Sequence, residues 1–270
     1  MDIKLEKIND EIIKPIKTTK IDPDKIKGYK LFPEIYGNIF LCAKKKSGKT
    51  SVINKIIKEC ADKDTAIYVF CSTHNKDENW IEIKKWLEKK EMNANFFLSL
   101  EEDGINILNL IIEDLRTTVE ESDKSSSEKE EDTICNFQDD SIKIKIKKRK
   151  PKKVAPKVIF IFDDFSGELK DKNLVKLLKE NRHYKSKVII SSQYPNDMKP
   201  ESRSQLDYWI LFGSHNDEKL EQMYEYCTLG ITFDQFKKIY KFATSDKFNF
   251  LYIDRGNEEY RKNFDKKIIF

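Results

Sequence analysis

The trio Gly48-Lys49-Thr50 lies near the end of the run Leu41-Cys42-Ala43-Lys44-Lys45-Lys46-Ser47-Gly48-Lys49-Thr50-Ser51. Its spacing fits the phosphate-binding pattern G-x-x-x-x-G-K-[ST], except that Ala43 stands where the first glycine is expected. The chemistry asks for these residue types in this order. Such a loop turns backbone N–H groups toward phosphate oxygens, Lys49 adds a cation at the β- and γ-phosphates, and Thr50 offers a hydroxyl to Mg²⁺. A helix beginning here points the positive end of its dipole at the same anions. Residues 43–51 are therefore the candidate ATP-binding loop. Ala43 fits if its φ is negative and is strained if φ is positive. The alternative is a basic turn joining an ordinary strand and helix.

Two further groups have the right chemistry. The apolar run Val158-Ile159-Phe160-Ile161-Phe162 delivers Asp163 and Asp164 at its end. Asp163 would hold Mg²⁺ together with Thr50, and Asp164 would polarise the water that attacks the γ-phosphate. A second apolar run, Val188-Ile189-Ile190-Ser191-Ser192, ends in Gln193, whose amide would bond the γ-phosphate or the lytic water. A Gln satisfied by backbone is the plainer reading.

These residues need strands that end at one edge. Apolar patterning predicts strands over 38–42, 65–71, 95–100, 157–162, 187–193, 208–212 and 248–253, with helices over 51–60, 77–90, 173–184, 218–226 and 233–242. Continuously apolar strands alternating with helices predict an α/β fold with a central, mostly parallel sheet flanked by helices. Parallel sheets place ligands at the carboxyl ends of their strands, where all three groups fall.

The chain of 270 residues, 39% apolar and 36% charged, suits one catalytic domain, residues 36–270, behind an N-terminal arm over 1–35. No apolar run approaches the ~20 residues of a membrane span, and the start lacks a signal-peptide core, so an intracellular location is expected. The five cysteines have no C-x-x-C spacing and suit reduced core thiols. Over about 119–156 the composition turns Ser/Asp/Glu-rich, then basic through Ile142-Lys143-Ile144-Lys145-Ile146-Lys147-Lys148-Arg149-Lys150. This reads as a surface insertion with a flexible acidic half. Its Ile/Lys alternation suits a basic ribbon on phosphates, a solvated tail or a localisation patch.

The chain resembles the FtsK/HerA branch of P-loop ATPases, and within it the poxvirus-type genome-packaging ATPases of large DNA viruses and virophages. The resemblance rests on the P-loop, on Val69-Phe70 followed by Asp77 and Trp80, and on Ile161-Phe162-Asp163-Asp164. It continues through Asn181-Arg182-His183-Tyr184 and Ile189-Ile190-Ser191-Ser192-Gln193, with Pro200 and Arg203 beyond. It covers about 31–212 without the insertion. It implies a RecA-like P-loop NTPase core with strand order 5-1-4-3-2 and a homo-oligomeric ring, pentamer or hexamer. ATP hydrolysis would drive double-stranded DNA into a capsid, with capsid proteins as partners and the host cytoplasm, viral factory or virion as location. Such a ring takes an arginine across the subunit boundary; Arg182 is the first candidate and Arg203 the second, each otherwise a surface ion pair. His183 reads as structural or orienting.

Ala43 and the three lysines Lys44, Lys45 and Lys46 depart from the family pattern, which has small residues there. Lys44 stands where ParA/MinD-type ATPases carry a signature lysine, although Lys45 and Lys46 displace the glycines that those proteins need. A ParA/MinD-like ATPase, or a nucleotide-dependent assembly ATPase without DNA translocation, is thus the alternative. Lys143 to Lys153 and Lys237, Lys238 and Lys241 are candidate DNA contacts or solvated surface.

Overall fold

A computed structural model of the chain describes residues 21–125 and 153–270, without the side chains of 119–125. Residues 1–20 of the arm, Cys135, most of the acidic stretch and the ribbon at 142–150 lie outside the described residues.

The Walker-type core follows the chain as β1 (Gly37–Cys42), α1 (Lys49–Cys60), β2 (Ala66–Phe70), α2 (Glu78–Lys89) and β3 (Ala94–Phe97). A small hairpin, β4 (Glu101–Glu102) with β5 (Ile105–Asn106), leads into α3 (Ile107–Ser125). After the insertion come β6 (Val158–Asp163), α4 (Lys172–Glu180), β7 (Ser186–Ser192), α5 (Pro200–Ser204) and β8 (Tyr208–Phe212). The chain closes with α6 (Asp217–Cys227), α7 (Phe233–Ala243), β9 (Phe250–Asp254), β10 (Glu259–Lys262) and β11 (Lys266–Lys267).

One nine-stranded sheet runs β11-β10-β9-β8-β1-β7-β6-β2-β3. Its six strands from β8 to β3 are parallel, and β9, β10 and β11 continue antiparallel from β8. With β1, β2, β6, β7 and β8 counted as one to five, the order is the expected 5-1-4-3-2.

The side-chain period of two explains why this sheet is buried on both faces. Phe40, Phe70, Phe160, Phe162, Val188, Ile190 and Trp209 point to one face, under α3, α4, α6 and α7. Ile39, Leu41, Val69, Ile159, Ile161, Ile189 and Ile210 point to the other, under α1 and α2. Stacked aromatics tie β2 to β6, with Phe70 and Phe162 at 5.0 Å. Cys42, Cys60, Cys71 and Cys227 are free and buried, and burial pushes the Cys42 thiol up to about 12.

Within the arm, Leu31, Phe32 and Ile35 are buried. Phe32 packs on Tyr208 at 5.0 Å, and the buried Lys187 donates to the Glu34 carbonyl at 3.1 Å.

Three expectations are corrected. The helix expected to reach Tyr184 ends at Glu180, because Asn181 turns its carbonyl to the N–H and hydroxyl of Ser186 and Lys185 takes φ 50°. No helix is expected over 101–118, whereas α3, anchored by Leu108 and Ile112, carries the chain helically as far as Ser125. The last expected strand starts at Phe250, not Phe248, which sits in a turn at φ 70°.

Candidate nucleotide-binding site

The P-loop leaves β1 and enters α1 at the carboxyl edge of the sheet. Ala43 is fully buried, keeps a negative φ and donates its N–H to the Ser192 carbonyl at 3.1 Å. The missing first glycine therefore brings no strain. Positive φ is needed instead at Lys46, 62°, and at Gly48, 95°. At Gly48 the positive φ favours glycine, and a Cβ there would also stand a tight 3.3 Å from the exposed Phe248 ring. Gly48 caps α1 without a side-chain hydrogen bond, and no acid occupies the first turn. The first N–H groups of a twelve-residue helix are left open to an anion.

Lys49 and Thr50 are buried at 8% and 7% exposure. The Lys49 ammonium lies 3.4 Å from Asp163 Oδ1 and forms a closer ion pair with Asp164 Oδ1. Asp163 ends β6, buried, and Asp164 follows in the left-handed region at φ 52°. The fully buried Trp80 on α2 donates its indole N–H to Asp163 Oδ2 at 2.8 Å. The other oxygen, Oδ1, is buried and accepts no hydrogen bond.

Asp163 Oδ1, which faces only the Lys49 ammonium, and the hydroxyl of Thr50 at the first turn of α1 are oxygens of the kind that would hold a hard cation shared with phosphate oxygens. Mg²⁺ is characteristically held by one or two protein oxygens plus substrate phosphates. Among the described residues no cluster of three or more His, Cys, Asp or Glu is placed to hold a metal ion. When bound, the ion would neutralise charge on the β- and γ-oxygens.

A cleft of about 420 Å³ opens here, lined among others by Thr50, Ser51, Thr73, Lys76, Asn79 and Asp164. Four lysines, Lys45, Lys46, Lys49 and Lys76, face two acids, Asp77 and Asp164, so the cleft favours a polyanion. Asp77 itself caps α2 by accepting from the Asn79 N–H at 2.8 Å. Lys44, Lys45 and Lys46 are exposed, and Ser47 closes the loop by donating to the Lys44 carbonyl at 2.7 Å. Lys44 borders the neighbouring clefts, away from the acids.

Gln193 follows β7, which stands between β1 and β6, so it shares their edge. Its carbonyl takes the Lys219 ammonium and the Cys42 thiol, and its side chain does not line the acid cleft.

The two arginines are elsewhere. Arg182 sits in the turn before β7, at the amino edge opposite the P-loop, in an exposed pair with Glu34 at 3.1 Å. His183 is exposed beside it. Arg203 on α5 donates to the Met198 carbonyl at 2.6 Å and lies over the Tyr226 ring at 4.2 Å. Neither reaches the phosphate site of its own chain. On α7, Lys238 and Lys241 are exposed, while Lys237 pairs with Asp217 at 2.5 Å.

The patterning missed the Trp80–Asp163 bond and the placing of Phe248 beside Gly48. Trp80 stood among the residues of the family resemblance, without a role.

No protein-family model matches the chain, and no curated protein matches it. Solved structures do. The genome-packaging NTPase B204 from Sulfolobus turreted icosahedral virus 2 in complex with AMP aligns with TM-score 0.53 and 14% identity, over 84% of this chain and 96% of that one. Its complex with ATP-gammaS gives TM-score 0.50 and 15% identity over 84% and 96%. The DNA-packaging ATPase B204 from Sulfolobus Turreted Icosahedral Virus gives 0.50 and 14% over 83% and 95%. At these identities the likeness is one of fold: this chain has the α/β P-loop NTPase fold of those proteins.

Proposed function

We propose that the chain is a Mg²⁺-dependent ATPase that works in a homo-oligomeric ring and drives double-stranded viral DNA into a capsid, inside the host cell. The observation that carries the reading is Lys49 set between Asp163 and Asp164 at the carboxyl edge of a 5-1-4-3-2 sheet. The fold shared with packaging NTPases supports the DNA-directed half.

The roles follow from position. Backbone N–H groups of 43–51 and the Lys49 ammonium would hold the phosphates, and Thr50 and Asp163 would hold Mg²⁺. Asp164, 36% exposed at the cleft, would orient the lytic water, and Gln193 would report on the γ-phosphate from the adjacent strand end. An arginine from a neighbouring subunit would complete the charge balance. Arg182 is the more available: exposed pairs such as the one with Glu34 are worth ~0–1 kcal/mol, so the guanidinium exchanges partners readily. Arg203 is already committed to the carbonyls of its own loop.

ATP turnover should rise on adding double-stranded DNA of any sequence. The stimulation should fall steeply between 50 and 200 mM salt, roughly as expected for phosphate contacts. Lys49→Ala should abolish both basal and stimulated rates. A rate indifferent to DNA at every salt concentration would point to an assembly ATPase without translocation instead.

Subunit mixing tests the ring. Arg182→Ala and Lys49→Ala proteins, each inactive, should regain activity when co-assembled, because some interfaces then pair an intact site with an intact arginine. No recovery in oligomers shown to be mixed would remove Arg182 from the role.

A further inference from the structure

The P-loop separates two clefts. One holds the acids; the other, about 430 Å³, lies between Lys44–Ser47 of the loop, the end of β8 and the turn before β9. That size suits a small-molecule fragment. A triphosphate with its γ end toward Asp163 and Asp164 would send its ribose and base past the loop, to the side where this cleft lies next to another lined by Lys44, Tyr194 and His215.

Its wall presents one aromatic ring in an unusual posture. Phe248 keeps 57% of its surface exposed and adopts φ 70°, a conformation that a bulky residue takes only when its surroundings impose it. The turn is fixed on both sides. Asn249 donates its N–H to the Asp246 carbonyl at 3.2 Å, and Phe250 donates to Asn263 Oδ1 at 3.1 Å. The ring is thereby held against Gly48, with the Lys247 ammonium 4.8 Å from its centroid.

The polar side chains of the turn itself are already engaged. Asp246 Oδ2 accepts from Ser245, Asn249 and Lys262, each at 3.0 Å. Thr244 donates its hydroxyl to the Tyr240 carbonyl at 2.8 Å, and Asn249 Oδ1 accepts from Asn263 at 2.9 Å. Asp246, Thr244 and the Asn249 carbonyl oxygen are thus committed within the turn, and an apolar slot discriminates weakly where a hydrogen-bonding one discriminates strongly.

We infer that Phe248 is the shelf on which the nucleobase stacks and that the site has little preference between adenine and guanine nucleotides. The inference rests on phosphate binding at Lys49. Stacking on an aromatic ring is indifferent to which base supplies the π-face.

The test measures equilibrium binding of ATPγS, GTPγS and inorganic tripolyphosphate, all with Mg²⁺, to the full chain and two variants. Phe248→Asn keeps a residue that tolerates the left-handed backbone, and Phe248→Trp keeps an aromatic face. The unaltered protein should bind ATPγS and GTPγS within about tenfold of each other. Phe248→Asn should weaken both by about tenfold and leave tripolyphosphate unchanged, and Phe248→Trp should restore them. Equal loss for tripolyphosphate would show that the ring acts only through the shape of the loop and would overturn the shelf, as would nucleotide binding insensitive to Phe248→Asn. A hundredfold preference for one purine would overturn the lack of discrimination. If the unaltered protein binds no tripolyphosphate, the phosphate reading itself falls and takes this inference with it.

Discussion

Asp164→Asn should lower ATP turnover by about 10²- to 10⁴-fold, the range for removing a positioned acid–base group, while ATPγS binds as tightly as before or several-fold more tightly. The two effects have one origin. Lys49 is paired to both Asp163 and Asp164, so a γ-phosphate that draws on the same ammonium competes with a carboxylate for it. The amide keeps the shape, removes the competing charge and cannot draw a proton from water. Asn is also the conservative choice for the backbone, because Asp164 sits at φ 52°, where Asn is among the few non-glycine residues at ease. Phosphate release and equilibrium ATPγS binding, measured on the same preparation, check both halves. Unchanged turnover would remove Asp164 from the chemistry. Lost ATPγS binding with the fold intact would mean that the Lys49–Asp164 pair builds the site rather than competing with its ligand.

The phosphate end of this site was legible because it is assembled from strand ends. Lys49 and Asp163 terminate or follow a continuously buried run, and a parallel sheet brings such termini to one edge whatever the details of its helices; Gln193 reaches the same edge, but its side chain does not line the acid cleft. What the pattern missed depends on orientation rather than on residue type. Trp80 falls at helical spacing with Ile83 and Leu87 and reads as core, and nothing local signals that its N–H meets a carboxylate 83 positions away. Phe248 alternates with Phe250 and Tyr252 and so looks like the start of a strand. Its left-handed turn is imposed by Asn263 and Asp246. Helical periodicity carried α4 too far in the same way, and thereby concealed that Arg182 lies on a turn at the far edge of the sheet. The antiparallel course of β9 to β11 depends on which edge remains open once β8 has paired with β1, a tertiary fact that these segments do not encode. Ala43 is the reverse case. A mismatch to the pattern proved harmless, because the backbone freedom that the motif needs is supplied at Lys46 and Gly48.

Trp80→Phe should produce the second large effect, and it should appear in the metal dependence. The substitution keeps an aromatic ring where α2 meets the sheet, beside Phe96, and removes only the indole N–H and part of the volume. Asp163 Oδ2 then has no donor. A buried polar atom left unsatisfied costs about 1–3 kcal/mol, so the midpoint of denaturant unfolding should fall. That loss alone would describe a structural tryptophan. The distinguishing readout is the Mg²⁺ titration of nucleotide binding, because Trp80 holds one carboxylate oxygen so that the other, Oδ1, faces the Lys49 side of the cleft. Loss of a partner that orients a metal ligand typically weakens metal affinity by about 10- to 100-fold, and that shift is the expected result, with activity recovering at saturating Mg²⁺ and ATPγS binding in EDTA unchanged. A destabilised variant with an unaltered Mg²⁺ midpoint would make Trp80 a packing residue only. Metal-dependent loss that saturating Mg²⁺ repairs would instead mean that the orientation of Asp163 is set from α2, on the opposite side of the carboxylate from the phosphates it serves.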